Sequence, residues 1–272
     1  MTLPISRRNL LKLSAAASAT SLLGCSTQTN SDGWDKGQLQ HILPLASHNS
    51  FNIKVSFIQP QSGVKLTLNG SHHAGVQEDS AGRFFSIVVT NLTPATNYQL
   101  QLLNFKDEPL CDSWPLKTLP ALNADVDKLT LACFTCAGGP DWPVIWDKHG
   151  FKPVSYRKAL FDILLKDKPD VVIANGDHIY WDFHSWVENR EGWLAKTAMQ
   201  KVMDMKGRFD ETLPVIGTLN EKTLINIADE QLAAIYGVAF RSTPILFITD
   251  DHDYFDNDDS TPEKTTFPPN SF

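Results

Sequence analysis

The sequence lacks an excess of basic residues. It has 24 Lys and Arg against 31 Asp and Glu in 272 residues, a formal net charge of −7. A chain with this balance has no general basic face to neutralise a phosphate backbone, so we do not expect nucleic acid as a binding partner. If the substrate is anionic, positive charge has to come from a local source, and bound metal ions would supply it.

Long apolar runs are also missing, since the stretch from Leu13 to Gly24 is too short to span a bilayer. The preceding segment, Ser6-Arg7-Arg8-Asn9-Leu10-Leu11-Lys12, matches the twin-arginine pattern, so residues 1–25 are predicted to engage the twin-arginine export machinery. Leu22-Leu23-Gly24-Cys25 resembles a bacterial lipobox, in which lipidated Cys25 attaches the protein to a membrane. Cleavage nearby without lipidation is the alternative. We therefore expect an exported protein of the periplasm or cell envelope.

A helical pattern is absent from residues 41–120. Residues 26–40 are rich in small polar residues and read as a flexible tether, and short alternating segments follow them. Leu92-Thr93-Pro94-Ala95-Thr96-Asn97-Tyr98 is similar to the tyrosine corner of fibronectin type III domains. We predict a fibronectin type III-like β-sandwich over 41–120 with a structural or interactive role. Its expected strands are Phe51–Ile58, Val64–Leu68, Phe84–Val89 and Tyr98–Leu103.

Residues 121–272 have a different pattern. Short, nearly continuous apolar runs are typical of strands buried on both faces, and amphipathic stretches separate them. This alternation predicts an α/β layer fold with a mostly parallel or mixed sheet. The segment between Lys206 and Lys222 is too interrupted by Gly and Pro to assign. The expected strands are Leu129–Phe134, Val171–Ala174 and Ile245–Thr249, and the expected helices are Ser155–Leu165, Asp229–Tyr236 and a polar one around Glu188–Met205.

Side chains capable of binding metal follow each of these buried strands. In open α/β sheets ligands bind at the carboxyl ends of the strands, so three segments can converge on one point. Tyr180 comes three residues after Asp177, and a helical or turn geometry would bring both side chains to one side. The three segments are Thr135-Cys136-Ala137-Gly138-Gly139, Asn175-Gly176-Asp177-His178-Ile179-Tyr180 and Asp250-Asp251-His252-Asp253.

At these residues the chain resembles the calcineurin-like metallophosphoesterases, specifically the PhoD-like (alkaline phosphatase D) branch. That branch has a Ser-Cys block, a Gly-Asp-x-x-Tyr block and a Trp-Asp-Asp-His-Glu/Asp block, in this order. Thr135 replaces the Ser and Thr249 replaces the Trp, and neither position supplies an expected ligand. The resemblance implies that residues 121–272 are the N-terminal part of a metallophosphoesterase α/β sandwich.

The resemblance also implies a dinuclear metal site and a reaction. Cys136 and Tyr180 would bind one ion, most plausibly iron, because anionic sulfur and oxygen donors stabilise high charge. Asp177 would bridge to a second ion, calcium or another divalent ion, and Asp251 would take the position of a bridging Asn in relatives. A metal-bound hydroxide would then attack a phosphate ester, either a monoester or a diester, and His252 would protonate the departing alkoxide.

Other residues and other classes of protein are open at this stage. His178 and His184 flank the predicted site, where they either contact substrate or lie on the surface. Cys133 and Cys136 form a Cys-x-x-Cys pair, which would be redox-active in a thiol-disulfide protein; in the phosphoesterase reading Cys133 is simply core. A surface-anchored binding or scaffold lipoprotein with an inert α/β remnant is the third possibility.

The third block lies close to the end of the sequence. The family's remaining ligands are histidines in a C-terminal block, whereas this sequence ends at Asn270-Ser271-Phe272. We expect the chain to be a fragment whose second metal site is incomplete, and whose activity is therefore reduced or lost.

Overall fold

The computed structural model describes residues 33–139, 151–184, 200, 203–204, 206–210 and 212–254. The predicted signal with Cys25 and most of the helix expected around Glu188–Met205 lie outside these ranges. From Lys36 onward the described residues belong to one compact unit. None of the helices in the described ranges combines the length and the hydropathy needed to cross a membrane.

The first part of the unit is a β-sandwich of two antiparallel sheets. One sheet has the strand order β1-β2-β6-β5 and the other has the order β4-β3-β7-β8. The first strand begins at Leu39, whereas the sequence placed the start of the sandwich at 41. The strands are β1 (Leu39–Ala46), β2 (Phe51–Phe57), β3 (Lys65–Leu68), β4 (Ser71–Ala74), β5 (Val76–Gln77), β6 (Phe84–Val89), β7 (Asn97–Leu103) and β8 (Trp114–Lys117).

Alternation along the strands builds the core of the sandwich. β7 buries every second residue over most of its length, as a strand with one face on a core does. Phe51 on one sheet packs edge-on against Tyr98 on the other, with ring centroids 5.8 Å apart. The backbone N–H of Thr93 donates to the Tyr98 hydroxyl at 2.7 Å, which confirms the predicted tyrosine corner.

The second part is a three-stranded parallel sheet with helices. β9 (Leu131–Phe134), β10 (Val171–Asn175) and β11 (Ile245–Ile248) lie in the order β11-β10-β9. The predicted order, a β-sandwich followed by an α/β layer, is confirmed. The helices are α1 (Val154–Lys166), α2 (Leu219–Ala228), a π-helical segment (Asp229–Ala233) that continues α2, and 3₁₀ turns at Trp181–His184 and His252–Tyr254.

The helix predicted over Asp229–Tyr236 begins earlier than expected. Regular helix starts at Leu219, because the Thr218 side chain caps it by accepting the backbone N–H of Asn220 at 3.1 Å. Gly207, Pro214 and Gly217 precede this cap and hide it in the sequence pattern.

Only one face of the parallel sheet is covered within the described residues. Phe161 of α1 packs there with Val172, Ala174 and Ile245. The expectation that all three strands are buried on both faces is wrong for the outer two. Leu131 and Ile248 are 53% and 51% exposed, and Cys133, expected in the core, is also exposed, because the alternation of β9 places it on the uncovered face.

The sandwich is held firmly on the α/β part. Leu43 of β1 belongs to the same hydrophobic cluster as the parallel sheet, and the backbone N–H of Ile42 donates to Gly237 O at 3.0 Å. The guanidinium of Arg83 donates two hydrogen bonds of 2.9 Å to the Asp229 carboxylate. These contacts join the first strand and the β5–β6 loop of the sandwich to the segment that follows α2.

A buried histidine lies close to this junction. His41 on β1 is 3% exposed, and its Nδ1 lies 2.5 Å from the Ser56 hydroxyl oxygen of the neighbouring strand. Burial, and then the positive charge of Arg83, lower the pKa of His41 from 6.5 to about 4. The folded protein therefore holds this imidazole neutral under conditions in which the unfolded chain would protonate it.

This difference predicts a loss of stability in acid. Above pH 6.5 neither state protonates His41, whereas between pH 6.5 and about 4 only the unfolded chain does. The free energy of unfolding should fall over this window by about 3 kcal/mol on account of this residue. Urea denaturation at a series of pH values measures this free energy. In His41→Gln the decrease between pH 6.5 and about 4 should be smaller than in wild type by about 3 kcal/mol. Ser56→Ala keeps the buried imidazole and should keep the slope; a His41→Gln curve parallel to wild type would contradict the assignment.

Candidate metal centre

Parallel pairing brings the ends of the three strands to one edge of the sheet. Residue pairs in register are Val172 with Ala132 and Ile245, and all three strands run in the same direction. The segments that follow them therefore meet, as the sequence predicted. The five residues singled out beforehand as ligands or acid lie in this group: Cys136, Asp177, Tyr180, Asp251 and His252.

The Asp177 carboxylate is the centre of the group. Its Oδ2 accepts hydrogen bonds from the Cys136 thiol at 3.1 Å and from the Tyr180 hydroxyl at 3.2 Å. Asp177 is 9% exposed, and its Oδ1 is buried without a partner among the described residues. A buried carboxylate oxygen left unpaired is costly, so this atom is a ready acceptor for a cation.

The backbone around Asp177 is held in an uncommon conformation. Cys136 and Asp177 have φ values of 54° and 56°, in the left-handed region that L-residues with a side chain seldom adopt. Two bonds hold this geometry: Cys136 N donates to Gly176 O at 3.2 Å, and Gly138 N donates to Asp177 O at 2.8 Å. Strained residues of this kind cluster at functional sites, and here both carry predicted ligands.

Asp251 and His252 complete the donor set. One ligand atom from each of Asp177, Asp251 and His252 lies within 4.8 Å of the others. Two carboxylates and an imidazole suit a divalent ion, and the neighbouring thiol and phenol add softer and more basic donors. The residues present therefore fit a metal site, and Asp177 stands between the two kinds of donor.

Aromatic rings surround this donor set. The Tyr180 ring packs against the His252 imidazole with centroids 4.0 Å apart and a 31° tilt, and Phe151 meets Tyr180 edge-on at 4.8 Å. Phe183 packs against the same two rings at 5.2 Å and 5.8 Å. Packing against neighbouring rings thus orients both Tyr180 and His252, and Tyr180 is held in addition by its hydrogen bond to Asp177.

The Cys136 thiol keeps its proton in the absence of a metal. A hydrogen bond with Thr135 favours the thiolate, but burial and the neighbouring carboxylate of Asp177 oppose it, and on balance they raise the pKa of Cys136. A metal ion binding here would have to displace this proton.

The two flanking histidines do not face an open site. The Nε2 of His178 lies 3.0 Å from the Ile248 carbonyl, which can only accept, so Nε2 carries the proton and Nδ1 accepts from the Tyr236 hydroxyl at 3.1 Å. Burial raises the pKa of Tyr236, which keeps this hydroxyl a donor. His184 is fully buried, with Nδ1 2.9 Å from Gly207 O. Substrate contact through His178 or His184 stays a prediction.

The Cys-x-x-Cys pair is not bridged. Cys133 and Cys136 are both free thiols. Cys136 donates to Asp177, whereas Cys133 lies in β9 on the uncovered face of the sheet. The arrangement gives the redox reading no support.

Three residues to which the sequence analysis gave no individual role hold the segments in place. Arg157 of α1 is buried, and its Nη1 donates to the carbonyls of Ala137, Gly138 and Gly139 at 2.6–2.9 Å. Gln231 and Asp253 accept backbone N–H groups of the same segments. For Arg157 and Gln231 the available signal was a polar residue inside an amphipathic stretch, at a position that the helical period assigns to the buried side.

Comparison with known proteins gives only distant likenesses. No protein-family model matches the chain, and no curated protein matches it. A solved structure of PhoD aligns with 79% of this chain at 16% identity and a TM-score of 0.42. A purple acid phosphatase from yellow lupin (Lupinus luteus) seeds aligns with 80% at 11% identity and a TM-score of 0.43. The chain spans 39% and 36% of the lengths of these two structures, and similarity this low assigns neither family nor activity.

Gly176 is required by the packing of the centre. Its φ is 77°, and a Cβ at this position would lie 2.5 Å from the Cβ of Asp250. Gly217 has the same φ of 77° with open space around it, so Gly217→Ala serves as the matched control. Both variants carry the left-handed penalty, and Gly176→Ala should lose about 1–3 kcal/mol more in urea denaturation because of the clash. Equal losses in the two variants would show that Asp250 moves aside without cost.

Proposed function

We propose that this chain carries the site of a metal-dependent phosphoesterase of the alkaline phosphatase D type. The observation that carries the proposal is the environment of Asp177. One carboxylate oxygen accepts hydrogen bonds from a thiol and a phenol, and the other is buried without a partner among the described residues. Asp251 and His252 lie beside this carboxylate. An inert remnant would have no reason to keep an unpaired buried carboxylate oxygen in a strained turn.

The donors divide naturally between two ions. Cys136 and Tyr180 are anionic when deprotonated and suit an ion of high charge such as iron. Asp251 offers a carboxylate for calcium or another divalent ion, and Asp177 touches the first pair of donors while lying within 4.8 Å of the second. When bound, such a pair supplies Lewis acidity toward phosphate oxygens and lowers the pKa of water.

His252 is the residue that we propose protonates the leaving alcohol. It follows Asp251 directly, and its imidazole packs against the Tyr180 ring at a centroid distance of 4.0 Å, with the two ring planes tilted by 31°. This packing fixes the plane of the ring and hence the direction in which its nitrogens point. An imidazole titrates near neutral pH, as a general acid for an alkoxide requires.

Asp177→Asn is the direct test of the site. The amide cannot bridge two cations, so we expect the variant to lose bound metal and hydrolysis of both p-nitrophenyl phosphate and bis-p-nitrophenyl phosphate, by at least about 100-fold in rate. Elemental analysis of the purified protein measures the metal. Asp162→Asn, on the exposed side of α1, makes the same chemical change away from the centre and should leave both quantities as in wild type. Absence of both metal and hydrolysis from the full-length gene product would favour the scaffold alternative.

His252→Asn separates an acid from a ligand. As an acid, His252 contributes to turnover but not to metal retention, so the variant should keep its metal and lose about 10²- to 10⁴-fold in rate on phenyl phosphate. The loss should be much smaller on p-nitrophenyl phosphate, whose leaving group needs little protonation. Loss of metal together with equal rate losses on the two substrates would instead make His252 a ligand, a role that its distance to Asp177 and Asp251 also permits.

A further inference from the structure

Gln231 joins two of the three segments that form the centre. It is fully buried in the π-helical segment, and its Oε1 accepts hydrogen bonds from Gly139 N at 3.2 Å and from Tyr180 N at 2.8 Å. Gly139 belongs to the segment of Cys136, and Tyr180 follows Asp177. A single amide oxygen therefore fixes the spacing between the two backbones that carry the thiol and the phenol.

Asp253 joins the next pair of segments. Its Oδ1 accepts from His178 N at 2.8 Å and from Ile179 N at 2.9 Å, and its Oδ2 accepts from Asp250 N at 3.1 Å. The first two amides follow Asp177, and the third precedes Asp251. Both oxygens of this carboxylate thus accept hydrogen bonds from the backbone, one from the segment that follows β10 and the other from the segment that follows β11.

Gln231 also has a feature that packing alone does not explain. Its Nε2 is buried with no partner among the described residues, which is unfavourable for stability. It lies where α2 widens into a π-helical turn, a form that is rare and recurs at functional sites. A buried amide that leaves its NH₂ unpaired is tolerated where its oxygen makes bonds that an apolar side chain cannot make.

We propose that Gln231 and Asp253 are positioning residues that set the spacing of the three metal-bearing segments. The inference rests on the proposed phosphoesterase site and goes beyond it, because neither side chain is itself a ligand or an acid in that proposal. Gln231 governs the half of the site made by Cys136 and Tyr180. Asp253 governs the distance from Asp177 to the half made by Asp251 and His252.

Isosteric variants of Gln231 test the first half. Gln231→Met keeps the size of the side chain but removes the acceptor, whereas Gln231→Glu keeps the acceptor oxygen and replaces the unpaired NH₂ with a second carboxyl oxygen. Titration with ferric nitrilotriacetate, followed by the iron–tyrosinate absorption, should show a shifted band and affinity about 10- to 100-fold weaker in the Met variant. The Glu variant keeps an acceptor for Gly139 N and Tyr180 N, so its band and affinity should stay closer to wild type than those of the Met variant. Gln99→Met, an exposed position on β7, is the control for the chemical change.

Asp253→Ala tests the second half and should give a different signature. The iron–tyrosinate band should keep its wavelength, because Gln231 still holds Tyr180, while affinity for calcium at the second position should fall about 10- to 100-fold. If both variants changed the two ions equally, the two residues would be supporting the fold in general, and the assignment of separate halves would be overturned.

Hydrogen exchange in the metal-free protein gives an independent reading. Gln231→Met should speed exchange at the amides of Gly139 and Tyr180, and Asp253→Ala should do so at His178, Ile179 and Asp250, with the rest of the sheet unchanged. Unchanged exchange at these amides would overturn the positioning role. A wild-type protein that takes up neither iron nor calcium would overturn the proposed function instead, so the two failures are seen in different measurements.

Discussion

The parallel pairing of β9, β10 and β11 is the constraint on which the rest of the structure depends. Strands that run in one direction must end at one edge, so whatever follows each of them is brought together without further design. In this chain each strand is followed within three residues by an acidic side chain or a thiol. The meeting of Cys136, Asp177 and Asp251 is a consequence of the sheet, although more than a hundred residues separate the first from the last.

Convergence alone does not make a site, since loops at a sheet edge are free to move relative to one another. Here polar side chains from outside the sheet hold them. Arg157 comes from α1 and Gln231 from the π-helical segment, and both reach the loops from the covered face. Their cost in buried polarity is offset by bonds to backbone groups that would otherwise be buried without partners. The centre is therefore rigid because of residues that carry none of its chemistry.

Much of this arrangement was predictable, because it follows from local patterns. Alternation located strands such as Phe84–Val89 to the residue, and the tyrosine corner was visible in Leu92–Tyr98. The grouping of Cys136 and Tyr180 around Asp177 followed from strand order and from the three-residue spacing. These features depend on the period of the chain and on the rules of sheet topology, both of which are written in the sequence.

Other features depend on long-range packing and were not predictable. The sequence pattern cannot show that Gln231 faces the β9 loop, because that contact spans ninety-two residues. Nor can it show that Cys133 is exposed, since an apolar run reads the same whether one face of the sheet is covered or both. The burial of His178 likewise depends on long-range packing, because the partners of its two ring nitrogens, Tyr236 and Ile248, lie in distant parts of the chain.

Because Leu43 belongs to the core of the parallel sheet, the sandwich is not a separately tethered module. A module tethered by a linker can be lost, swapped or duplicated without consequence for its neighbour, but this one contributes a residue to the interior of the α/β part and clamps Asp229 through Arg83. Removing it would expose the part of this hydrophobic cluster that Leu43 covers. A recombination event at the junction near residue 120 would therefore separate residues that share one core and one ion pair.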